Sequence, residues 1–197
     1  MHFPGIGPRQ AKRFVYYLLT RDPETLGMLS DSIKTLKTTI RSCKMCFRFF
    51  PKRNLKNDKD ENVCNICGGD RDHSILMVVP RDNDLEQIEK SKAYKGIYLV
   101  LGGTVPILDK NPETRIRIKE LKKRVEEEVK NGLQEIILAA NLNPEGEHTM
   151  EYVEEELKVP IDFHNLKITH LGRGFSTGTE IEYSDAETIK YALKSRF

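Results

Sequence analysis

Four cysteines in two close pairs constrain the fold of this 197-residue chain more than any other feature. Cys43 and Cys46 form one C-x-x-C pair, Cys64 and Cys67 form the other, and 17 residues separate the pairs. Each pair turns two thiolates toward one ion, and two pairs complete a tetrahedral zinc site. Four thiolates leave no open coordination position, so we expect one structural zinc ion per chain. A redox-active C-x-x-C and unmetallated buried thiols are the alternatives.

Short apolar runs alternate with amphipathic stretches after the second cysteine pair. The runs occupy 75–79, 97–101, 135–140 and 167–172, and the helical stretches between them occupy 84–92, 113–130 and 147–157. Strands that are apolar on both faces, with helices between them, are typical of a parallel sheet covered on both sides. The expected fold class is therefore α/β.

The chain divides into four predicted regions. Residues 1–42 are expected to be helical, 43–72 to form the four-cysteine zinc finger, and 73–172 to form the parallel sheet with its flanking helices. Residues 173–197 are expected to form a loop, a short polar strand and a closing helix capped near Ser184-Asp185.

Helical periodicity marks the first region, with apolar side chains at 14, 15, 18 and 19 and again at 33, 36 and 40. Asp22-Pro23 is expected to break the first helix, and Ser30-Asp31 is expected to cap a later one. These apolar positions predict that the region is helical.

A glycine turn, Pro4-Gly5-Ile6-Gly7-Pro8, opens that region. Glycine permits positive φ angles, and a proline fits the first turn of a helix, where its missing N–H is not needed. The free N–H groups of such a helix start bind phosphate, and the basic residues Arg9, Lys12 and Arg13 follow on its first turns. The turn therefore predicts either a sequence-independent phosphate contact through Gly5, Gly7 and these cations, or an ordinary helix start.

Charge is distributed unevenly along the chain. Residues 1–56 hold 12 Lys+Arg and 3 Asp+Glu, a net charge of +9, so the remaining residues carry −7 of the total of +2. A basic front favours a polyanionic partner such as nucleic acid. A solvated charged surface is the alternative. No apolar run is long enough for a membrane span and no signal peptide is evident, so we expect a cytoplasmic protein.

Several motifs, in this order, resemble one known family, the bacterial recombination mediator proteins RecR. The quoted stretches are "FPGIGPRQAKRFVYYLL", the double C-x-x-C, "IYLVLGGTVPILDK", "EIILAANLNPEGEHTMEYV" and "ITHLGRGFSTGTEIEYSDAETIKYAL". The resemblance implies a helix-hairpin-helix segment, a four-cysteine zinc finger and a Toprim domain. Family members carry another helix before the glycine turn, so the motif here is expected to be partial.

The family resemblance implies a function as well as a fold. It implies a clamp of DNA repair that forms homo-oligomeric rings, dimers or tetramers, and binds single- and double-stranded DNA without sequence preference. It further implies action with RecO, and in some pathways RecF, to load RecA on single-stranded DNA. Asn143, Glu145 and Glu147 are implied to contribute to partner docking. A capped helix start, with glutamates that complement the helix dipole, is the alternative for this stretch.

Enzymes with a Toprim domain use carboxylates to hold Mg²⁺. The candidate acids are Asp82, Asp84, Asp109, Glu145 and Glu147. Catalytic members place a glutamate where this chain has Pro80, and an Asp-x-Asp where it reads Asn141-Leu142-Asn143. We therefore expect a non-enzymatic protein. A Mg²⁺-dependent Toprim nuclease and an interaction scaffold with little DNA binding are the alternatives.

Overall fold

The computed structural model describes residues 5–52, 61–172, 175 and 178–194. The chain separates into two compact units, one of Met1–Arg41 with Phe50–Asp58 and the other of Ser42–Phe49 with Lys59–Phe197. The cysteine pairs and the sheet therefore belong to the same unit. The limits of the four sequence regions stay a prediction.

Two helices make up most of the first unit. Helix α1 spans Pro8–Leu19 and helix α2 spans Pro23–Thr39. Asp22 ends the connection between them, because its carboxylate accepts a hydrogen bond of 2.8 Å from the Thr25 N–H while Pro23 takes the first helical position. The break predicted at Asp22-Pro23 is confirmed.

The helix cap predicted at Ser30-Asp31 is wrong. Both residues lie inside α2, which continues without a break to Thr39. Nearby hydroxyl groups bond back to carbonyl groups of the preceding turn, Ser32 Oγ to Met28 O at 2.8 Å and Thr35 Oγ1 to Asp31 O at 2.8 Å. Such bonds satisfy the polar side chains within the helix, so they do not start a new one.

The apolar residues of α1 and α2 lie on the surface of the single chain. Every residue of both helices is described, and none is buried. Phe14 is 49% exposed, Leu19 74% and Ile33 58%. The periodicity correctly predicted the helices, and their apolar side chains are exposed in the single chain.

A two-stranded sheet flanks the first cysteine pair. Strand β1 (Ile40–Ser42) pairs with strand β2 (Phe49–Pro51). The main sheet has four parallel strands in the order β4-β3-β5-β6. Its strands are β3 (Asp72–Val79), β4 (Gly96–Val100), β5 (Glu135–Leu138) and β6 (Lys167–His170).

Three helices connect the parallel strands, α3 (Asp82–Ser91), α4 (Ile118–Val129) and α5 (Pro144–His164). The chain steps one way from β3 to β4 and the other way from β4 to β5 and β6, so right-handed crossovers place α3 on one face and α4 and α5 on the opposite face. Helices α4 and α5 contact each other, which agrees with that arrangement. The α/β fold with a covered parallel sheet is confirmed.

The hydrophobic core lies between the sheet and helices α4 and α5. Its strand residues are buried because a parallel sheet with helices on both sides has no face toward water. Fully buried members include Leu76, Val78, Leu99, Leu121, Val125, Ile136, Val153 and Leu157.

The tail departs from its prediction in one element. Helix α6 spans Ala186–Lys194, and the Asp185 carboxylate accepts a hydrogen bond of 2.8 Å from the Thr188 N–H, as a cap near Ser184-Asp185 requires. The polar strand predicted before it is wrong: Ile181–Tyr183 forms a 3₁₀ turn, and the described residues after β6 contain no strand. The Tyr183 N–H bonds to the Glu180 carbonyl, so this backbone is satisfied locally.

Candidate metal centre and nucleic-acid interface

The four cysteine sulfurs converge on one point. All four Sγ atoms lie within 4.8 Å of one another, and Cys46 Sγ is 3.7 Å from Cys64 Sγ. Zinc–sulfur bonds of about 2.3 Å in a tetrahedron place the sulfurs about 3.8 Å apart. A disulfide would need about 2.05 Å. The sulfurs therefore have the spacing of ligands around an ion, and the cysteines are not disulfide-bonded.

Backbone N–H groups point at these sulfurs. Cys43 Sγ accepts hydrogen bonds of 3.4 Å from the Met45 and Cys64 amides, and Cys64 Sγ accepts one of 3.5 Å from the Cys67 amide. Each cysteine pair thus closes a tight turn, which for the first pair includes Phe47 at φ 62°. Such donors favour the thiolate over the thiol, which is the form that binds a metal.

Crowding drives the thiol pKa values apart. Hydrogen bonds from Cys46, and then from Cys64 and Cys67, hold the pKa of Cys43 far below its ordinary value. Hydrogen bonds that the Cys67 thiol donates to Cys43, and then to Cys46 and Cys64, raise the pKa of Cys67 far above its ordinary value. Four such groups cannot all ionise together without a compensating cation. The site thus fits a metal ion, as the spacing of the cysteines predicted.

The first cysteine pair also lies against the main sheet. The Cys46 carbonyl accepts a hydrogen bond of 2.8 Å from the Val100 N–H at the end of β4, which is an edge strand. The Asp82 carboxylate accepts another of 2.6 Å from the Phe49 N–H. An open strand edge invites pairing with other chains, so the turn blocks part of an aggregation-prone edge. No local sequence signal indicates these contacts.

The start of α1 is the candidate nucleic-acid interface. Gly5 has φ 74°, the positive angle expected of a glycine in this turn, whereas Gly7 has φ −77° and is the residue before the helix; Pro4 lies outside the described residues. No side chain caps the described start of α1 and its first turn holds no acid. Arg9, Lys12 and Arg13 are all exposed, with Arg9 and Arg13 four residues apart on one face. The site residues predicted here thus lie together at one helix end.

The start of α5 holds the residues predicted for partner docking, with Asn143 just before the helix and Glu145 and Glu147 in its first turn. Asn143 caps α5, because its Oδ1 accepts a hydrogen bond of 2.8 Å from the Gly146 N–H. The Glu145 carboxylate accepts a hydrogen bond from the Thr104 hydroxyl. Asn143, Glu145 and Glu147 are exposed.

The other candidate Toprim acids are acceptors within the fold. Asp82 accepts from Phe49, and Asp84 accepts a hydrogen bond of 3.0 Å from the Arg81 N–H at the start of α3. Asp109 accepts a hydrogen bond of 2.5 Å from Arg115 Nε. The pKa of Asp109 is lowered by the backbone N–H of Asn111 and then by that arginine. Among the described residues, only the four cysteines form a group of three or more potential metal ligands.

A cavity of about 550 Å³ opens at the ends of β5 and β6, beside α5 and α6. Three carboxylates of α5, Glu147, Glu151 and Glu154, line it together with His170 and an apolar floor that includes Met150. His170 Nε2 lies 3.3 Å from Glu154 Oε1. Sequence reasoning found only Glu147. The spacing of the other two, four and seven residues later on a helix, was the available signal.

The fold and the cysteine site define the class of this protein, an α/β protein with a parallel sheet and a four-cysteine group that could hold a metal ion. The family model described as "Toprim domain" matches residues 74–171. In the described part of the chain, no helix combines the length and the apolar character that crossing a membrane requires.

Curated relatives give the particular family. The recombination protein RecR of Pelobacter propionicus is 36% identical over 98% of this chain and 89% of its own length. Those of Chloroherpeton thalassium and Trichlorobacter lovleyi are 35% and 34% identical, over 98% of this chain and 90% and 89% of their lengths. The chain belongs to the RecR family of recombination proteins, as the motifs indicated.

Proposed function

We propose that this protein is a non-catalytic, DNA-binding mediator of recombinational repair in the bacterial cytoplasm. It acts as a ring-like clamp with RecO, and in some pathways RecF, to help load RecA on single-stranded DNA. The observation that carries the DNA contact is the uncapped, basic start of α1. Its amides and the side chains of Arg9, Lys12 and Arg13 bind backbone phosphates, so the contact is independent of base sequence.

The metal in this proposal is zinc, one ion per chain. Four sulfur donors within 4.8 Å of one another suit tetrahedral zinc, and four protein ligands leave no position for water or substrate. Cys43, Cys46, Cys64 and Cys67 hold the ion in a structural role.

The absence of catalysis is part of the same proposal. Its support is the chemistry after β3 and β5, where Pro80 carries no acid and Asn141 and Asn143 are neutral. Neutral amides are weaker Mg²⁺ ligands than carboxylates, and Asn143 is already engaged as the α5 cap. At these positions the chain therefore lacks the acids that a Mg²⁺-dependent nuclease would need.

Self-association completes the clamp. Helices α1 and α2 bury none of their residues within their own chain, and they expose the apolar side chains of Phe14, Leu19 and Ile33. Exposed large apolar side chains that recur along amphipathic helices support an interface. A second copy covers it in a homo-oligomer, a dimer or a tetramer.

A basic protein partner docks at the end of β5. Asn143, Glu145 and Glu147 lie beside the cavity whose wall also carries Glu151 and Glu154. These carboxylates repel DNA and attract Lys and Arg side chains, and the apolar floor accepts an anchoring residue. We assign this surface to RecO.

The decisive experiment is a fluorescence-anisotropy titration of labelled single- and double-stranded DNA at rising salt. The parent protein is expected to bind both DNAs, with affinity that falls as salt rises. Arg9→Ala with Arg13→Ala removes two phosphate contacts and is expected to weaken binding about equally across sequences and to reduce the salt slope. Lys34→Ala with Lys37→Ala, on α2, is the control of equal charge and is expected to bind nearly as the parent does.

Three results would contradict parts of this proposal. Equal losses in the two double variants would make the basic contribution a diffuse charge effect and not a site at α1. No binding at low salt, with or without RecO, would favour the scaffold alternative. Nicking of supercoiled plasmid by the parent protein in Mg²⁺ would favour the nuclease.

A further inference from the structure

A buried ion pair on α4 lies behind the first cysteine pair. Arg124 Nη2 is 2.9 Å from Glu128 Oε1, and their side chains are 4% and 1% exposed. Burying two charges costs several kcal/mol in desolvation, and apolar residues of similar size often stabilise a fold equally well. The neighbouring core positions of α4, Leu121 and Val125, are apolar. Packing alone therefore gives no reason for charge at this position.

The pair is fixed at its acidic end. Glu128 Oε2 is 2.6 Å from His73 Nδ1 on β3 and 3.3 Å from the Asn131 side-chain amide at the end of α4. With both oxygens engaged, the carboxylate orients the guanidinium of Arg124. The cation is thus held in one place by the sheet and its own helix.

The guanidinium reaches the cysteine turn. Arg124 Nη1 lies 3.3 Å from Met45 Sδ, and Met45 stands between Cys43 and Cys46. The Met45 N–H donates to Cys43 Sγ. Arg124 Nε is buried with no hydrogen-bond partner among the described residues, so Glu128 does not use all of its donors. A chain of contacts runs from β3 through Glu128 and Arg124 to the residue that sets the first turn.

The charge of a metal-loaded site explains why a buried cation would lie at this turn. Four thiolates around a divalent ion carry a net charge of −2, and three of the four cysteines are buried. A buried dianion is costly unless a cation lies nearby, and the interaction is strong where water is excluded. Arg124 is a buried guanidinium that contacts this turn directly.

We propose that Arg124, oriented by Glu128, is a positioning residue for the metal: it holds the Cys43–Cys46 turn and offsets the negative charge of the loaded site. This proposal rests on the proposed zinc site. Partners outside the ligand set commonly change metal affinity about 10–100-fold when they are mutated. Loss of the pair is expected to speed release of the ion and not to unfold the sheet.

The test variant removes both charges, Arg124→Met with Glu128→Met. Removing only the arginine would leave Glu128 as a buried charge without its main partner and would destabilise the fold for that reason alone. The matched control is Lys123→Met with Glu127→Met, because that pair has the same spacing on the same helix but is exposed. The full-length, zinc-loaded protein is used throughout.

Transfer of zinc to a chromophoric chelator is measured together with the thermal midpoint. The double variant at the buried pair is expected to release zinc about tenfold faster or more, at an unchanged or higher thermal midpoint. The control pair releases zinc at the parent rate. Arg124→Lys keeps the cation and releases zinc more slowly than the double variant.

The proposal is overturned if the buried-pair variant releases zinc at the parent rate, if the control pair accelerates release as much, or if Arg124→Lys behaves like the double variant. Faster release accompanied by an equal fall in global stability also overturns it. Elemental analysis of the parent that finds no zinc would refute the zinc site itself. Equal release rates from zinc-loaded proteins would refute only the role of Arg124.

Discussion

Gly146→Ala is expected to destabilise the protein although alanine is the better helix former. Gly146 lies in the first turn of α5, and a Cβ there would stand 2.1 Å from the Asn141 carbonyl oxygen and 3.1 Å from Asn143 Oδ1. Side-chain carbons essentially never come within 3.0 Å of such atoms. The backbone at the end of β5 must therefore retreat by nearly an ångström, because a carbonyl group cannot rotate away as a side chain can.

The magnitude follows from three contributions. Overpacking against a rigid neighbour costs about 1–3 kcal/mol. Displacing Asn143 weakens its cap on the Gly146 N–H, worth about 1 kcal/mol. Replacing glycine by alanine in a helix returns about 1 kcal/mol. The free energy of unfolding is thus expected to fall by about 1–3 kcal/mol.

Urea unfolding followed by circular dichroism measures this change. At slopes of about 1–3 kcal/mol/M, the midpoint moves down by about 1 M. The matched control is Gly27→Ala in α2, where nothing lies within 4 Å of the new Cβ. It is expected to stabilise its helix by about 0.5–1 kcal/mol. A Gly146→Ala protein as stable as the parent would refute the close approach at Asn141.

Two further predictions concern the core and the cap of α2. Leu157→Ala removes a fully buried side chain between α5 and the sheet and is expected to lower the free energy of unfolding by about 2–5 kcal/mol. Val159 is 78% exposed on the same helix, so Val159→Ala should change that free energy by less than about 0.5 kcal/mol. Similar losses in the two variants would contradict the assignment of Leu157 to the buried face of α5. Hydrogen bonds from the backbone N–H and then the hydroxyl of Thr25 lower the pKa of Asp22 from its ordinary value of 3.8. The ionised cap therefore stabilises the folded protein fully at pH values above 3.8, and this stabilisation is lost as the pH falls through the lower pKa of the folded state. Asp22→Asn keeps a capping side chain that does not titrate. Acid unfolding followed by the helical circular-dichroism signal should therefore lose the pH dependence that Asp22 contributes, and a profile identical to that of the parent would contradict this role of Asp22.

The parallel sheet was predictable because its signal is local. Strands β3 and β4 are continuous apolar runs, and each is followed by a polar stretch long enough for a crossover helix. The cysteine spacing predicted the metal site for the same reason, since each pair makes its own turn. The stretch around Asn143 allowed two interpretations, a capped helix start and a docking surface. The structure confirms the cap, and the docking role stays a prediction.

Contacts between distant segments could not be predicted. The bond from the Val100 N–H to the Cys46 carbonyl and the contact of Arg124 with Met45 join residues 54 and 79 positions apart, and neither has a periodic pattern. In the tail, Ile181 and Tyr183 alternate with glutamates as strand residues do, yet the backbone there bonds to itself. Alternation over so few residues does not distinguish a strand from a turn.

Periodicity also reports that a helix has an apolar face without reporting what covers it. The faces of α4 and α5 are covered by the sheet, whereas those of α1 and α2 are exposed in the single chain. The four sequences look alike in this respect, because each is amphipathic. Only the number of elements available to pack against differs, and that depends on the tertiary fold and on assembly.

The uneven distribution of charge supports the two kinds of partner proposed above, one for each part of the molecule. The residues up to 56 carry +9 and include the uncapped start of α1, whereas the remainder carries −7 and includes the carboxylates of α5 that line the cavity. A phosphate backbone is repelled by the second surface and a basic protein by the first. High salt weakens both the DNA interaction and the interaction with a basic protein, so a salt series alone does not distinguish the two. Substitution at Arg9 and Arg13 can separate them, because it removes the attraction proposed for DNA and leaves unchanged the carboxylates proposed to recognise the basic partner.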